Sequence, residues 1–139
     1  MTPRAGSRRE RCGRAEALNR LVQADAFLTA ATLIVEDDTD SANPGVAAAL
    51  AVLAGIAASD AACCARLRQR ARGPSHLEAV ALVATVLPHG QAMAKDLERL
   101  VARKDSVHYG AAFVTAADAT KMLAWATRLV NRARSAVEA

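Results

Sequence analysis

Aromatic side chains, lysines and prolines are all scarce in this chain of 139 residues. Aromatics make up 3% of the residues, and there are three lysines and four prolines. Because strands favour aromatic and β-branched side chains, this composition argues against a fold built on a sheet. No uninterrupted apolar run reaches the roughly 18 residues of a membrane span, so we expect no membrane partner.

Cysteine is also rare, with single copies at Cys12, Cys63 and Cys64. An odd count, with two of the three adjacent, does not suggest a disulfide framework, and the spacing is not that of a zinc site. We therefore expect Cys63 and Cys64 to be small apolar core residues in a reducing cytoplasm. Neither a metal nor a cofactor is expected.

What the chain has in abundance is alanine, at 35 residues, with 53% hydrophobic and 23% charged residues overall. This composition excludes wholesale disorder and favours closely packed helices. The net charge of +4 lies entirely in residues 1–14, since the rest of the chain holds 13 basic and 13 acidic residues. We predict a flexible basic tail over 1–14, open to an acidic surface or nucleic acid, and one domain over 15–139.

The apolar periodicity predicts five helices in an all-α, up-and-down bundle of four or five helices. The first spans about Ala15 to Val35 and the second follows the N-cap Asn43 to about Arg72. The third runs from a Ser75 cap to Pro88 and the fourth from Gln91 to Tyr109, with Gly110 as its C-cap. The fifth follows Thr115 and ends near 137. Apolar stripes are predicted to face the core, including Leu18, Leu21, Val22, Leu28, Ala31 and Val35 on the first helix and Val46, Leu50, Leu53, Ala57, Cys64 and Leu67 on the second.

Three further polar features remain. Asp60 lies on the apolar stripe of the second helix, so we expect it either at a bundle end or bonded to a neighbouring helix cap, or else paired with a cation on the fourth helix. Arg66, Arg68, Arg70 and Arg72 form either a solvated helix end or a second RNA surface. Trp125 lies on the polar side of the fifth helix, where it either packs under the tail or offers a stacking platform.

The end of the fourth helix carries the strongest chemical pattern, Arg103-Lys104-Asp105-Ser106-Val107-His108. Lys104 and His108 are four residues apart and share a helical face, while Arg103 lies one step round. A histidine beside cations can move a proton next to a phosphate. The alternative is a capping or half-buried histidine with no chemical role.

The helix order over about residues 15–137, the segment AGIAASDAACCARL and this Arg103–His108 pair resemble the HEPN superfamily. Its signature is an arginine followed, after four to six residues, by a histidine near a helix end. The resemblance implies a bacterial helical bundle that forms a homodimer and brings two motifs into one cleft. It further implies a metal-independent endoribonuclease of toxin–antitoxin type, with a nucleotidyltransferase antitoxin as partner, or else a non-catalytic module that binds a partner protein or nucleotide.

In the implied reaction, His108 carries the proton, Arg103 and Lys104 contact the RNA phosphate, and Asp60 orients one of the two cations. The sequence departs from the family pattern at two positions. Lys104 stands where a small polar residue often follows the arginine. Tyr109 directly follows the histidine, whereas toxins with a modified tyrosine carry it two residues after the histidine. The remaining hypothesis is a structural helical bundle whose only task is oligomerisation.

Overall fold

The computed structural model describes residues 8–39, 42–73, 75–108 and 114–139, with the backbone alone for 104–108. Five helices and one two-stranded sheet form its described part, which confirms the predicted helical bundle. In chain order the elements are β1 (Arg9–Arg11), α1 (Arg14–Glu36), α2 (Pro44–Leu67), β2 (Gln69–Ala71), α3 (His76–Val83), α4 (Gly90–His108) and α5 (Ala116–Glu138).

The four long helices run up and down. Arg20 of α1 meets Asp60 of α2, and the N-terminal residues of α2 lie against the end of α1, so these two helices are antiparallel. α4 and α5 are likewise antiparallel, because Arg103 meets Asp118. α2 packs against both α4 and α5 at the centre of the bundle.

The close approach of the central helices depends on the absence of a side chain at Gly55. A Cβ atom there would lie 2.6 Å from Leu100 Cδ1 and 3.3 Å from Leu129 Cδ2. Both leucines are fully buried. The small face of α2 therefore lies inward, and the partner helices fill the core with their leucines.

The outward faces of α1 and α2 differ from the prediction. On α1, Leu18 and Val22 are exposed, while the alanines at 17, 24 and 31 are completely buried. On α2, Val46 and Leu53 are exposed, while a run of alanines faces the core. The two predicted stripes were thus wrong at these four large residues, because alanine lets helix axes come closer than leucine or valine does.

Two helix starts agree with the sequence. The Asn43 side chain accepts hydrogen bonds from the backbone N–H groups of Gly45 and Val46. Thr115 and Asp118 form a capping box at the start of α5. Such caps satisfy backbone donors that have no partner within the helix.

The end of α2 and the basic tail depart from the prediction together. Arg68 adopts a left-handed conformation with φ of 60°, which ends α2 at Leu67 instead of near Arg72. The chain then forms β2, which pairs antiparallel with β1, Glu10 lying opposite Arg70. The part of the tail from Arg8 onward therefore belongs to the fold, and residues 1–7 lie outside the described residues.

A disulfide joins Cys12 to Cys64, with Cα atoms 5.1 Å apart. The prediction that Cys64 is a free core thiol was therefore wrong, whereas Cys63 is free and buried as expected. The bond ties the segment after β1 to the last turns of α2. Such bonds form in oxidising environments and are rare in reducing ones.

Two helices are long and apolar enough, by composition, to cross a membrane. They are α1 and α2. In the most apolar 18-residue stretch of each helix, 17% of the residues of α1 and 67% of those of α2 are buried in the fold. Neither helix contains an unbroken apolar run of about 18 residues, so a search for such runs does not detect them. The low burial of α1 is the more unusual value, since an apolar helix of a bundle is normally covered.

Candidate functional site

The predicted motif lies at the C-terminal end of α4, next to the start of α5. Arg103 is half-buried, and its Nη2 lies 3.5 Å from Asp118 Oδ2. Its Nε atom is buried without a hydrogen-bond acceptor among the described residues. Lys104 and His108 belong to the backbone of α4, but their side chains lie outside the described residues, as do Tyr109, Gly110 and Phe113.

Asp118 itself has a lowered pKa. The main cause is its hydrogen bond with the Thr115 backbone N–H, and the charge of Arg103 adds to it. The carboxylate is therefore ionised at neutral pH and holds the Arg103 guanidinium on the α5 side of the helix. This agrees with the sequence-based position of Arg103, one step round from the apolar face of α4.

The same α4–α5 contact contains a buried carboxylate surrounded by arginines. Asp96 is 3% exposed and lies 3.0 Å from Arg128 Nη2, 3.3 Å from Arg132 Nη1 and 3.7 Å from Arg99 Nη1. One carboxylate neutralises only one of these three cations. The helical pattern predicts Asp96 on the polar face of α4, whereas the structure buries it beside Leu100 at the edge of the core.

Trp125 lies between this cluster and the motif. Its ring packs against the core, and the guanidinium carbon of Arg99 lies 5.8 Å from the ring centroid. The interpretation that Trp125 packs under the N-terminal tail was wrong for the described part of that tail, because β1 pairs with β2. A cation–π contact orients both side chains at a surface position.

Together these residues form a cationic surface, which we call the α4–α5 seam. It comprises Arg99, Arg103, Lys121, Trp125, Arg128 and Arg132 with the acids Asp96 and Asp118. Five positive charges face two negative ones, leaving an excess of +3 along one side of the bundle. Partly exposed arginines with such an excess suit a chain of phosphates.

Asp60 does not belong to this seam. Its Oδ2 accepts hydrogen bonds from Arg20 Nε and Nη2 at 3.1 and 2.9 Å, and Arg70 Nη1 lies 3.6 Å away. Its cations come from α1 and β2, so the expected partner on the fourth helix was the wrong one. Gly55 and Leu100 lie at the same height in the bundle. Asp60 is five residues from Gly55 in one direction and Arg103 is three residues from Leu100 in the other, so at 1.5 Å per residue the two lie about 12 Å apart along the bundle.

Asp60 has a structural task at its own end of the bundle. Arg70 bridges it to Glu10 of β1, with Arg70 Nη2 2.9 Å from Glu10 Oε2. Burial is the main influence on Asp60 and raises the pKa of its carboxyl, against the opposing charges of Arg20 and Arg70. The cluster therefore links α1, α2 and the small sheet.

This raised pKa predicts how Asp60→Asn changes acid stability. The folded chain keeps the Asp60 proton to a higher pH than the unfolded chain, whose carboxyl titrates near 3.8. The Asp60 contribution to the free energy of unfolding therefore falls as pH rises from 3.8 through the raised value. Urea unfolding of both proteins across this range should show the wild type losing stability relative to Asp60→Asn. A relative gain instead would mean that the arginine charges outweigh burial.

The other arginine cluster, at residues 66–72, is divided among several surfaces. Arg70 and Arg72 both contact Glu10, at 2.9 and 3.1 Å. Arg66 instead lines an apolar cavity of about 220 Å³ beside His89 and Arg132. These residues do not form one continuous cationic face, which weakens the second RNA surface considered from the sequence.

Within the described ranges, no group of three or more His, Cys, Asp and Glu residues is arranged to hold a metal ion. No family model, no curated protein and no solved structure matches this chain. What the chain does must therefore be argued from its own residues.

Proposed function

We propose that this protein is a HEPN-like, metal-independent endoribonuclease that acts on RNA as a homodimer. His108 carries the proton between the 2′-OH and the phosphate, while Arg103 and Lys104 contact the phosphate. A second copy supplies a second His108, so that one histidine acts as base and the other as acid. Asp60 is left out of this assignment, because its cations are Arg20 and Arg70.

The observation that carries the proposal is the charge excess of the α4–α5 seam. The seam follows α4 toward the helix end that holds Arg103 and His108. Phosphate contacts of this kind bind RNA without reading its sequence and position the backbone for the reacting groups. Trp125, held under Arg99, adds an aromatic ring at the same surface, although its partial burial leaves only part of the ring to a base.

The contact between Arg103 and Asp118 supports a second candidate function. Asp118 already engages Arg103, which leaves fewer donors for a phosphate. This contact favours a non-catalytic module that uses the same surface to bind a partner protein, such as a nucleotidyltransferase antitoxin of a toxin–antitoxin pair, or a nucleotide. In that case the seam binds an acidic surface and no phosphodiester bond is broken.

The deciding experiment is cleavage of a labelled single-stranded RNA in the presence of excess EDTA. We expect His108→Ala to lower the cleavage rate at least about 100-fold, the usual contribution of a general acid or base. His89→Ala is the matched control, because His89 is exposed and lies at the opposite end of α4. Wild-type protein that cleaves no RNA, or His108→Ala that cleaves normally, would contradict the nuclease.

RNA binding is measured separately from cleavage. Arg128→Ala and Arg132→Ala should weaken binding of a non-cleavable RNA and reduce its salt dependence, since each removes one phosphate contact. Arg72→Ala serves as control, because its side chain is 58% exposed and pairs with Glu10 away from the seam. RNA binding that both seam substitutions weaken, without cleavage by the wild type, would support the non-catalytic module; binding that neither substitution weakens would contradict the seam as the RNA surface.

A further inference from the structure

The cavity of about 220 Å³ beside Arg66 opens at the end of the bundle opposite to His108. Its walls come from the last turn of α2, the α3–α4 connection with the first turn of α4, and the last turns of α5. The side chains of Val86, Met93 and Ala136 line its inner part and are at most 8% exposed. The cavity is therefore a pocket with apolar inner walls set into the fold, and we call it the end cavity.

Positively charged side chains lie around the mouth of the end cavity. Arg66 is exposed and makes no ion pair within the part of the chain that the structure describes. Arg132 is 36% exposed and shares the single carboxylate of Asp96 with two other arginines. Among the described residues that line the cavity, none has an acidic side chain. In a chain that ends at Ala139, the terminal carboxylate at the mouth offsets one positive charge, and an excess remains because two arginines are present.

The first turn of α4 adds positive potential at the same place. His89 and Met93 both line the cavity, and the Met93 backbone N–H donates to the His89 carbonyl at 3.0 Å, so the start of α4 forms part of the wall. α4 is 19 residues long, and the N-terminus of a helix is the positive end of its dipole. The mouth therefore favours an anionic group over a neutral or cationic one.

The volume of the end cavity limits the size of its ligand. A protein cavity of about 150 Å³ holds one benzene ring, so about 220 Å³ has room for roughly nine non-hydrogen atoms. Pockets for drug-sized ligands are larger, at about 300–1,000 Å³. The cavity thus suits a small ligand whose apolar body lies inside and whose charged group lies at the mouth.

We propose that the end cavity binds a small monocarboxylate whose apolar part has about eight carbon atoms, as in nonanoate or 3-phenylpropionate. The apolar part displaces water from the side chains of Val86, Met93 and Ala136. The carboxylate lies at the mouth, where it accepts charge-assisted hydrogen bonds from Arg66 and Arg132. This inference does not depend on the proposed function, since Arg103 and His108 lie at the other end of α4.

A nucleobase fits the end cavity less well than a monocarboxylate does. The described lining residues include no Phe, Tyr or Trp to stack on a base. Ser135 provides the only uncharged hydrogen-bonding side chain among them, whereas base edges are read through several donors and acceptors. A neutral apolar molecule would fill the inner part but leave the positive charge at the mouth without a partner.

Isothermal titration calorimetry of the full chain with nonanoate, 3-phenylpropionate and their neutral primary amides tests the inference. At least one carboxylate should bind with a Kd below about 1 mM. Its amide should bind at least about 10-fold more weakly, since charge-assisted hydrogen bonds are about twice as strong as neutral ones. Binding of nonanoate alone would support the proposal and identify a linear ligand, and binding of 3-phenylpropionate alone would support it and identify a ring.

Substitutions at exposed positions locate the ligand without disturbing the core. Arg66→Gln should weaken carboxylate binding about 10-fold and leave amide binding unchanged. Arg72→Gln is its matched control, because Arg72 is 58% exposed and pairs with Glu10 away from the cavity. Leu87→Ser should weaken the carboxylate and the amide alike, because Leu87 is 75% exposed at the mouth, whereas Leu77→Ser, at a 71% exposed position on α3, should weaken neither.

Four results would overturn the proposal. They are no binding of either carboxylate at about 5 mM, an amide that binds as tightly as its carboxylate, and carboxylate affinity that neither Arg66→Gln nor Leu87→Ser changes. The fourth is binding of adenosine monophosphate without binding of either carboxylate, which would identify a nucleotide site instead. Circular dichroism of each variant should match that of the wild type, since Arg66 and Leu87 are exposed.

Discussion

Shortening Leu100 to alanine is expected to lower the free energy of unfolding by about 3 kcal/mol, within the usual range for a buried leucine. Leu100 is fully buried, and its Cδ1 fills the space that Gly55 leaves open on α2. The loss would be a large fraction of the stability of a small domain. Urea unfolding followed by circular dichroism measures it, and Leu77→Ala at an exposed position should change stability by less than about 0.5 kcal/mol.

A double-mutant cycle makes this prediction specific to the Gly55 contact. Gly55→Ala alone should cost about 1–2 kcal/mol, because the new Cβ would lie 2.6 Å from Leu100 Cδ1. In the Leu100→Ala background the remaining close atom is Leu129 Cδ2 at 3.3 Å, so the same change should be close to neutral. We expect a coupling of at least about 1 kcal/mol between the two positions. Simple additivity would mean that α2 and α4 are not in the close contact described.

Reduction of the Cys12–Cys64 disulfide should have the second large effect. The bond closes a loop with a sequence separation of 52 residues, and the chain-entropy relation gives about 4 kcal/mol for a loop of this length. Urea unfolding with and without a reductant should reveal this difference in the wild type. Cys12→Ser should match the reduced wild type in stability under both conditions and show no response to reductant.

Thiol titration provides an independent control for the disulfide. Urea-unfolded protein without reductant should expose one thiol, that of Cys63, and three after reduction. Burial raises the pKa of the Cys63 thiol to about 12, so the folded protein holds almost no thiolate at neutral pH to attack the neighbouring bond. Three thiols in the unreduced protein would show that the bond does not form.

The sequence predicted those parts of the fold that depend on local chemistry. The helical bundle and the caps at Asn43 and Thr115 follow from residues within a few positions of one another. The antiparallel strands and the disulfide depend instead on residue 12 meeting residue 64, which no short-range pattern encodes. The partners of the tail's last residues lie more than 50 residues further along the chain. The tail's own sequence therefore predicts a solvated leader.

Orientation of the apolar helices was harder to predict for a different reason. Both faces of α1 are nearly equally apolar, so periodicity alone does not say which face is inside. The structure buries alanines and leaves Val22 and Leu53 outside. Close packing of alanine faces decides the orientation, and it depends on the partner helices more than on the helix itself.

The candidate site was predictable in part. The pattern located Arg103 and His108 at a helix end, but the partners of Arg103 and Asp60 come from α5, α1 and β2. A pairwise spacing rule within one helix cannot identify such partners. Asp96 was missed because its three arginines include two from α5, more than 30 residues along the chain.

The disulfide also has a topological consequence for the turn between α1 and α2. A protease that cuts this turn, near the exposed acids 36–38, opens a covalent ring and releases no fragment. The nicked protein should migrate as a full-length chain on a denaturing gel without reductant, and as two pieces once the bond is reduced.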